Sequence, residues 1–326
     1  MIDIYSWSDR NELTKASNNA DQAEKAAILQ EIAATNVSTI DERIAEDFED
    51  DLLDIAIHDP LSAQIQRDES LEGIMGNTIE EIERRQVLLG KDYPFTLIDG
   101  SLRYKSSKTG VYEYCLAISQ APSITTKPFT DLIRYFEILS ADAFRAFLGP
   151  GTSFVRTGYP SVANINSSPV FKNGFSRLKE ITKEWEWDPH SDALGDLSSV
   201  KDDGLDFIVW KSMDSRKGTL FITGQCACGM TDWHEKDQDI DANFVKLGRW
   251  FRKMCYVKPI RAFSIPHPIS GQKIFSTLTE RAGLTMDRIR LTKIAESPEN
   301  SQYFQTEHTA VLAELTKLVI PKLNPN

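Results

Sequence analysis

Two apolar runs close together in the chain, LDFIVW at residues 205–210 and LFITGQCA at residues 220–227, most restrict what this sequence can become. Both are rich in β-branched and aromatic residues, and the polar segment MDSRKG joins them, so they read as successive strands. Each also carries one polar residue out of keeping with the rest. Asp206 opens the first strand, where a buried carboxylate without a task is expensive. Gln225 stands near the end of the second, where a polar side chain needs a partner. These two positions are the first candidates for function.

The flanking elements give the runs a setting. Residues 128–148 read as a helix, with Pro128 in its first turn and Phe129, Leu132, Ile133, Phe136, Leu139, Ala143 and Phe147 as its apolar stripe. Gly149-Pro150-Gly151 stops it. A strand at SFVRTG and a helix over 170–185 precede the two runs. A helix over 242–255, the strand IRAFSI, a helix near 272–282, the strand RIRLTKI and a helix over 305–320 follow them. The order places the chain in the α/β class, as an α/β sandwich around a mixed sheet.

Upstream, residues 20–35 read as a helix. A second starts at Ser38 or Thr39, with Ile40, Ile44, Phe48, Leu52 and Ile55 on one side and Glu46, Asp47, Glu49, Asp50 and Asp51 on the other. Pro60 ends it, and a further helix lies near 78–89. Residues 93–118, punctuated by Asp99-Gly100 and Thr109-Gly110, read as a short antiparallel sheet, and QAPSITTK as a linker. The expected organisation is an acidic helical region (1–92), a β-hairpin and linker (93–125) and an α/β domain (126–326).

Charge follows that division. The net charge is -11, yet residues 1–90 hold 7 Lys+Arg against 21 Asp+Glu, and the remainder 30 against 27. The acidity belongs to the N-terminal part, and a polyanionic partner is not excluded from the rest. No run of about 18 apolar residues is present, so no membrane span is expected. MIDIYSWSDRNEL lacks the apolar core of a secretory signal. Four cysteines, Cys115, Cys226, Cys228 and Cys255, make no disulfide framework in a chain this long. Reduced thiols in a cytoplasm are the expectation.

The segment KDDGLDFIVW…GTLFITGQCA, with Phe136-Glu137 on the preceding helix, resembles the Mrr-like branch of the PD-(D/E)xK nucleases. The strand start Gly204-Leu205-Asp206 and the element beginning at Gln225 take the family's places, over about residues 128–295. The resemblance implies a restriction-endonuclease-like α/β/α core and a Mg²⁺- or Mn²⁺-dependent nuclease acting on DNA rather than RNA, in restriction or anti-phage defence. Asp206, Gln225 and Glu137 would hold the metal, because hard cations take carboxylate and carbonyl oxygens. Ala227 stands where the family has lysine, so Lys236, or else Lys201 or Lys211, is expected to assist the attacking water. A nuclease fold without activity, serving as a binding or scaffolding subunit, is the alternative.

Other chemistries lack support. Cys226, Cys228 and His234 do not have structural-zinc spacing, and His267 between two prolines reads as a rigid loop residue. No G-x-S-x-G or phosphate-cradling loop occurs. On the helix expected over 242–255, Lys246, Arg249, Arg252 and Lys253 form a basic face suited to phosphates. The acidic N-terminal helices could dock on such a surface, in this chain or in a protein partner.

Overall fold

In a computed structural model of the chain, the structure describes residues 7–30, 32–34, 60–158, 170–190, 204–229 and 247–323. The first half holds α1 (Trp7–Gln30), β1 (Ile32–Ala34), α2 (Pro60–Leu89), β2 (Phe95–Ile98), β3 (Ser101–Tyr104), α3 (Val111–Ser119), α4 (Thr130–Leu148) and β4 (Thr152–Arg156). The second half holds α5 (Val170–Thr182), β5 (Glu186–Trp187), β6 (Phe207–Lys211), β7 (Leu220–Cys226), β8 (Phe251–Lys253), β9 (Ile260–Ser264), α6 (Gln272–Ala282), β10 (Leu284–Met286), α7 (Arg288–Glu296), α8 (Ser301–Glu307) and α9 (Thr309–Thr316). The chain is thus mixed α/β. Among the described residues no helix is long and apolar enough to cross a membrane.

The two apolar runs lie inside a five-stranded sheet of order β10-β9-β7-β6-β4. β10, β9 and β7 run parallel, while β6 is antiparallel to both β7 and β4, so the sheet is mixed as expected. Alternation sends Phe207, Val209 and Ile222 to one face, against Leu132, Phe136 and Leu139 of α4. Ile208, Trp210 and Phe221 face the other way, against Phe175 and Leu178 of α5. Ala227 and Phe263 meet Leu278 and Ala282 of α6. Burial on both faces explains why the runs are almost continuously apolar. Gly224 is required where it stands, because a Cβ there would lie 1.9 Å from the Phe207 ring.

The largest apolar cluster includes Ala20, Ile82, Tyr112, Leu139, Phe304 and Leu323, so one core spans the divisions expected from composition at residues 92 and 126. A buried ionic network reinforces that junction. Arg288 of α7 donates to both carboxylate oxygens of Asp21 on α1, each at 2.8 Å. Arg85 of α2 reaches Asp21 at 2.7 Å, Glu24 at 2.9 Å and Glu81 at 2.8 Å. The Tyr93 and Tyr112 hydroxyls donate to Glu24. Burial alone would raise the Asp21 carboxyl, but Arg288 and Arg85 outweigh it and hold the group well below the usual range. At Glu24 burial dominates and pushes the carboxyl up.

Several elements differ from the sequence reading. VYEYCLAIS is helix α3, not strand, with every residue buried; a run apolar on all sides carries no periodicity to separate the two forms. The three-stranded sheet is instead completed by β1, which pairs with β3 inside the segment expected as helix. RIRLTKI lies in α7, where Asp287 accepts from the Arg290 N–H as an N-cap. Residues 251–253 form strand β8, paired with β5, rather than the end of a helix. Pro60 opens α2, where its missing N–H costs nothing. The C-terminal helix is two helices meeting at His308, whose Nε2 lies 2.7 Å from Asp142 and Nδ1 2.8 Å from the Tyr135 hydroxyl. Phe147 is exposed despite its place in the α4 stripe. The acidic helix expected over 38–59 lies outside the described residues.

Breaking a buried ion pair strands its partner. Asp21→Asn is therefore expected to lower unfolding free energy by about 3–5 kcal/mol, read by urea denaturation. A loss under about 1 kcal/mol would mean that the network does not hold α1 and α2 to the core.

Candidate functional site

Asp206 sits one residue before β6, and the backbone fixes it from both sides. Its N–H donates to the Gly224 carbonyl of β7 at 3.0 Å, and its carbonyl accepts from Thr157 and Gly158, beyond β4, at 2.8 and 3.1 Å. Its Oδ2 accepts the Cys226 N–H at 2.6 Å. A strand N–H lies in the plane of its sheet, so this oxygen sits at the sheet's end, between its two faces.

Glu137 reaches the same end from α4 and is 7% exposed. Its Oε2 accepts from Arg156 Nε, at the end of β4, at 2.5 Å. Gly158 makes room for the carboxylate, since a Cβ there would stand 2.1 Å from Oε2. One turn along α4, Ser140 donates to Ser264 of β9 at 2.8 Å, with both side chains buried. Burial pushes the Cys226 thiol well up, and the charges of Asp206, Cys228 and Glu137 push it further. Gly158 relates the two candidates directly, since its N–H bonds to the Asp206 carbonyl while its bare Cα lies against the Glu137 carboxylate.

Gln225 is 8% exposed, and its Oε1 is buried without a hydrogen-bond partner among the described residues. Strand alternation turns Cys226 toward α4 and Gln225 to the opposite face, with Phe221. Asp206 and Glu137 are thus brought together, while Gln225 borders them from the far side of the strand. Ala227, at the expected lysine position, is fully buried against Phe263 and Ile265.

The expected cations are distributed differently. Lys236, Lys246 and Lys201 lie outside the described residues, as do Asp202 and Asp203. Lys211 donates to the Leu148 carbonyl at 2.7 Å, at the other end of β6. Arg249, Arg252 and Lys253 do not form the basic face of a helix: the Arg249 guanidinium lies 5.7 Å from the Trp250 ring centre, and Arg252 pairs with Glu186. The cation that does stand beside the carboxylates is Arg156, which sequence reasoning missed. His267 lies 3.0 Å, by Nε2, from the Cys228 carbonyl, bracing two loops.

Among the described residues no group of three or more His, Cys, Asp or Glu could hold a metal ion. The oxygen donors present are the Asp206 and Glu137 carboxylates and the unpartnered amide oxygen of Gln225. Such a set suits Mg²⁺ or Mn²⁺ rather than a soft metal, and the orphaned Gln225 oxygen is what a hard cation would satisfy. Comparison of the chain with protein-family models, curated proteins and solved structures gave no match.

A methyl group at Gly158 would force Glu137 off Arg156. Gly158→Ala is expected to cost about 1–3 kcal/mol, and Gly158→Ala with Glu137→Ala distinctly less than the sum of the two, by at least about 0.5 kcal/mol. Additive losses in that double-mutant cycle, read by denaturant melts, would contradict the close contact.

Proposed function

We propose that this protein is a metal-dependent nuclease of the PD-(D/E)xK type, cleaving phosphodiester bonds in DNA rather than RNA. The observation that carries the reading is the order of elements and charges together. α4 bearing Glu137 is followed by β4, by β6 opened by Asp206, by β7 with Gln225 near its end, and by β9 parallel to β7, all in one mixed sheet. The family resemblance implies that order for a restriction-endonuclease-like core. Both carboxylates lie at the end of β6 and β7 where such a core has its centre.

In this reading Asp206 anchors the ion and the Gln225 amide oxygen borders it. Mg²⁺ or Mn²⁺, if bound there, would supply positive charge to the phosphate and lower the pKa of a water. Glu137, released from Arg156, would be free to hold a water or to join Asp206 in holding the ion. Arg156 then faces the phosphate as charge builds on it, the task a lysine performs elsewhere in the family. Lys236 remains the proposed assistant of the attacking water. The acidic region 1–92 serves as a contact for a protein partner, in a cytoplasmic setting of restriction or anti-phage defence.

A second reading is a silent nuclease fold acting as a scaffold or binding subunit. The Glu137–Arg156 ion pair and the buried Ala227 favour it.

Incubation with supercoiled plasmid and Mg²⁺ or Mn²⁺ separates the two. The nuclease reading expects nicking that EDTA abolishes, that Asp206→Ala lowers by at least about 10²-fold, and that Arg156→Ala lowers more than Arg156→Lys. Cleavage that survives Asp206→Ala removes the site assignment. The absence of cleavage on DNA and RNA alike supports the scaffold.

A further inference from the structure

We infer that the opposite end of the sheet carries a second contact for a nucleic-acid backbone, a two-lysine phosphate site assembled on Tyr256. It rests on the nuclease reading for the identity of the polymer, while its geometry stands separately. Its foundation is Glu184, which is fully buried. One carboxylate oxygen accepts the N–H groups of Gly218 and Thr219, each at 2.8 Å, and the other accepts that of Tyr256 at 3.2 Å. Burial would raise this carboxyl, but the three backbone donors outweigh it and keep the group ionised. A single buried anion thereby pins the β6–β7 turn to the turn after β8.

What the pinning brings together is a pair of ammonium groups. Lys217, on the first turn, donates to the Tyr256 hydroxyl at 2.7 Å. Lys253, at the end of β8, places its nitrogen 3.4 Å from the centre of the Tyr256 ring. The tyrosine is 47% exposed, so both cations are held at the surface. Nearby acids are already engaged: Asp214 pairs with Arg216, and Glu186 with Arg252. Among the described residues neither Lys217 nor Lys253 is in an ion pair. A ring holds a cation without neutralising it, so the two charges remain available to an outside anion.

The chemistry favours phosphates over bases or lipid. Lys253 covers one face of the ring, which leaves that face closed to base stacking, whereas two fixed ammonium groups suit phosphate oxygens. The exposed apolar groups close in sequence, among the described residues, are Met213, Val257 and Ile260, too little apolar surface for membrane insertion. Position adds to the case. β6 runs from Asp206 toward this turn at about 3.3 Å per residue, which sets the lysines roughly 20 Å from the carboxylates. That is about six base-pair steps of a duplex, so one DNA segment could span both places.

The test uses the full chain and a fluorescent duplex of roughly 20 base pairs in EDTA, where neither metal nor cleavage enters. Anisotropy titrations across a salt series compare the wild type with Lys217→Glu/Lys253→Glu and with Lys217→Gln/Lys253→Gln, each checked for folding by circular dichroism. The charge reversal is expected to weaken binding at least about tenfold, and the neutral pair to lower the salt slope by about 2. Tyr256→Phe, which releases Lys217, gives a smaller loss. Unchanged affinity and slope in the folded variants would overturn the inference. So would failure of the wild type to bind duplex, or binding to phosphatidylserine vesicles in its place. The plasmid assay reads the nuclease proposal on its own, so the two can fail separately.

Discussion

Arg288, buried without exposure, sits between Asp21 on the first helix and the carbonyl of Pro266 in the loop after β9. Those bonds join parts of the chain more than 260 residues apart. A guanidinium removed from water must find oxygens on its fork, and here the fork is filled by both oxygens of one carboxylate. Arg85 then shares that carboxylate, and Glu24 gathers two tyrosine hydroxyls around the remainder. The result ties α1 and α2 to the body that carries the five-stranded sheet. Sheet geometry, and with it the end of β6 and β7, depends on that body being closed.

On this frame the candidate site is held mostly by backbone. Asp206 is held in place because its amide and carboxylate are both bonded to β7 and its carbonyl to the segment after β4. Glu137 is held by Arg156 and by the space that Gly158 leaves open. The same economy recurs at the far end, where Glu184 orders two turns through three N–H groups.

Much of this was legible in the sequence, for definite reasons. The two apolar runs, the α4 stripe and the glycine stop after it gave the central layers, since burial on two faces and a 3.6-residue stripe leave strong patterns. Asp206 and Gln225 stand out as polar residues in apolar surroundings and Glu137 only through the family resemblance, though alternation around Cys226 sets Gln225 on the other face from Glu137. The residues around Tyr112 and Ile118 were misread because an element buried all round has no pattern to read. Arg288 and Arg290 gave α7 a polar look that matched an edge strand; the cap at Asp287 was the overlooked signal. Arg156 was passed over because its partner comes from another element, and no spacing along the chain reports that.

The central claim is that the oxygen donors at the end of β6 and β7 form a hard-metal centre. Anomalous diffraction from crystals soaked in Mn²⁺ tests it most directly. The account predicts a peak in direct contact with an Asp206 carboxylate oxygen, lost in Asp206→Ala crystals grown the same way. A Mn²⁺ peak elsewhere with none at Asp206, or no peak at saturating Mn²⁺, would contradict it.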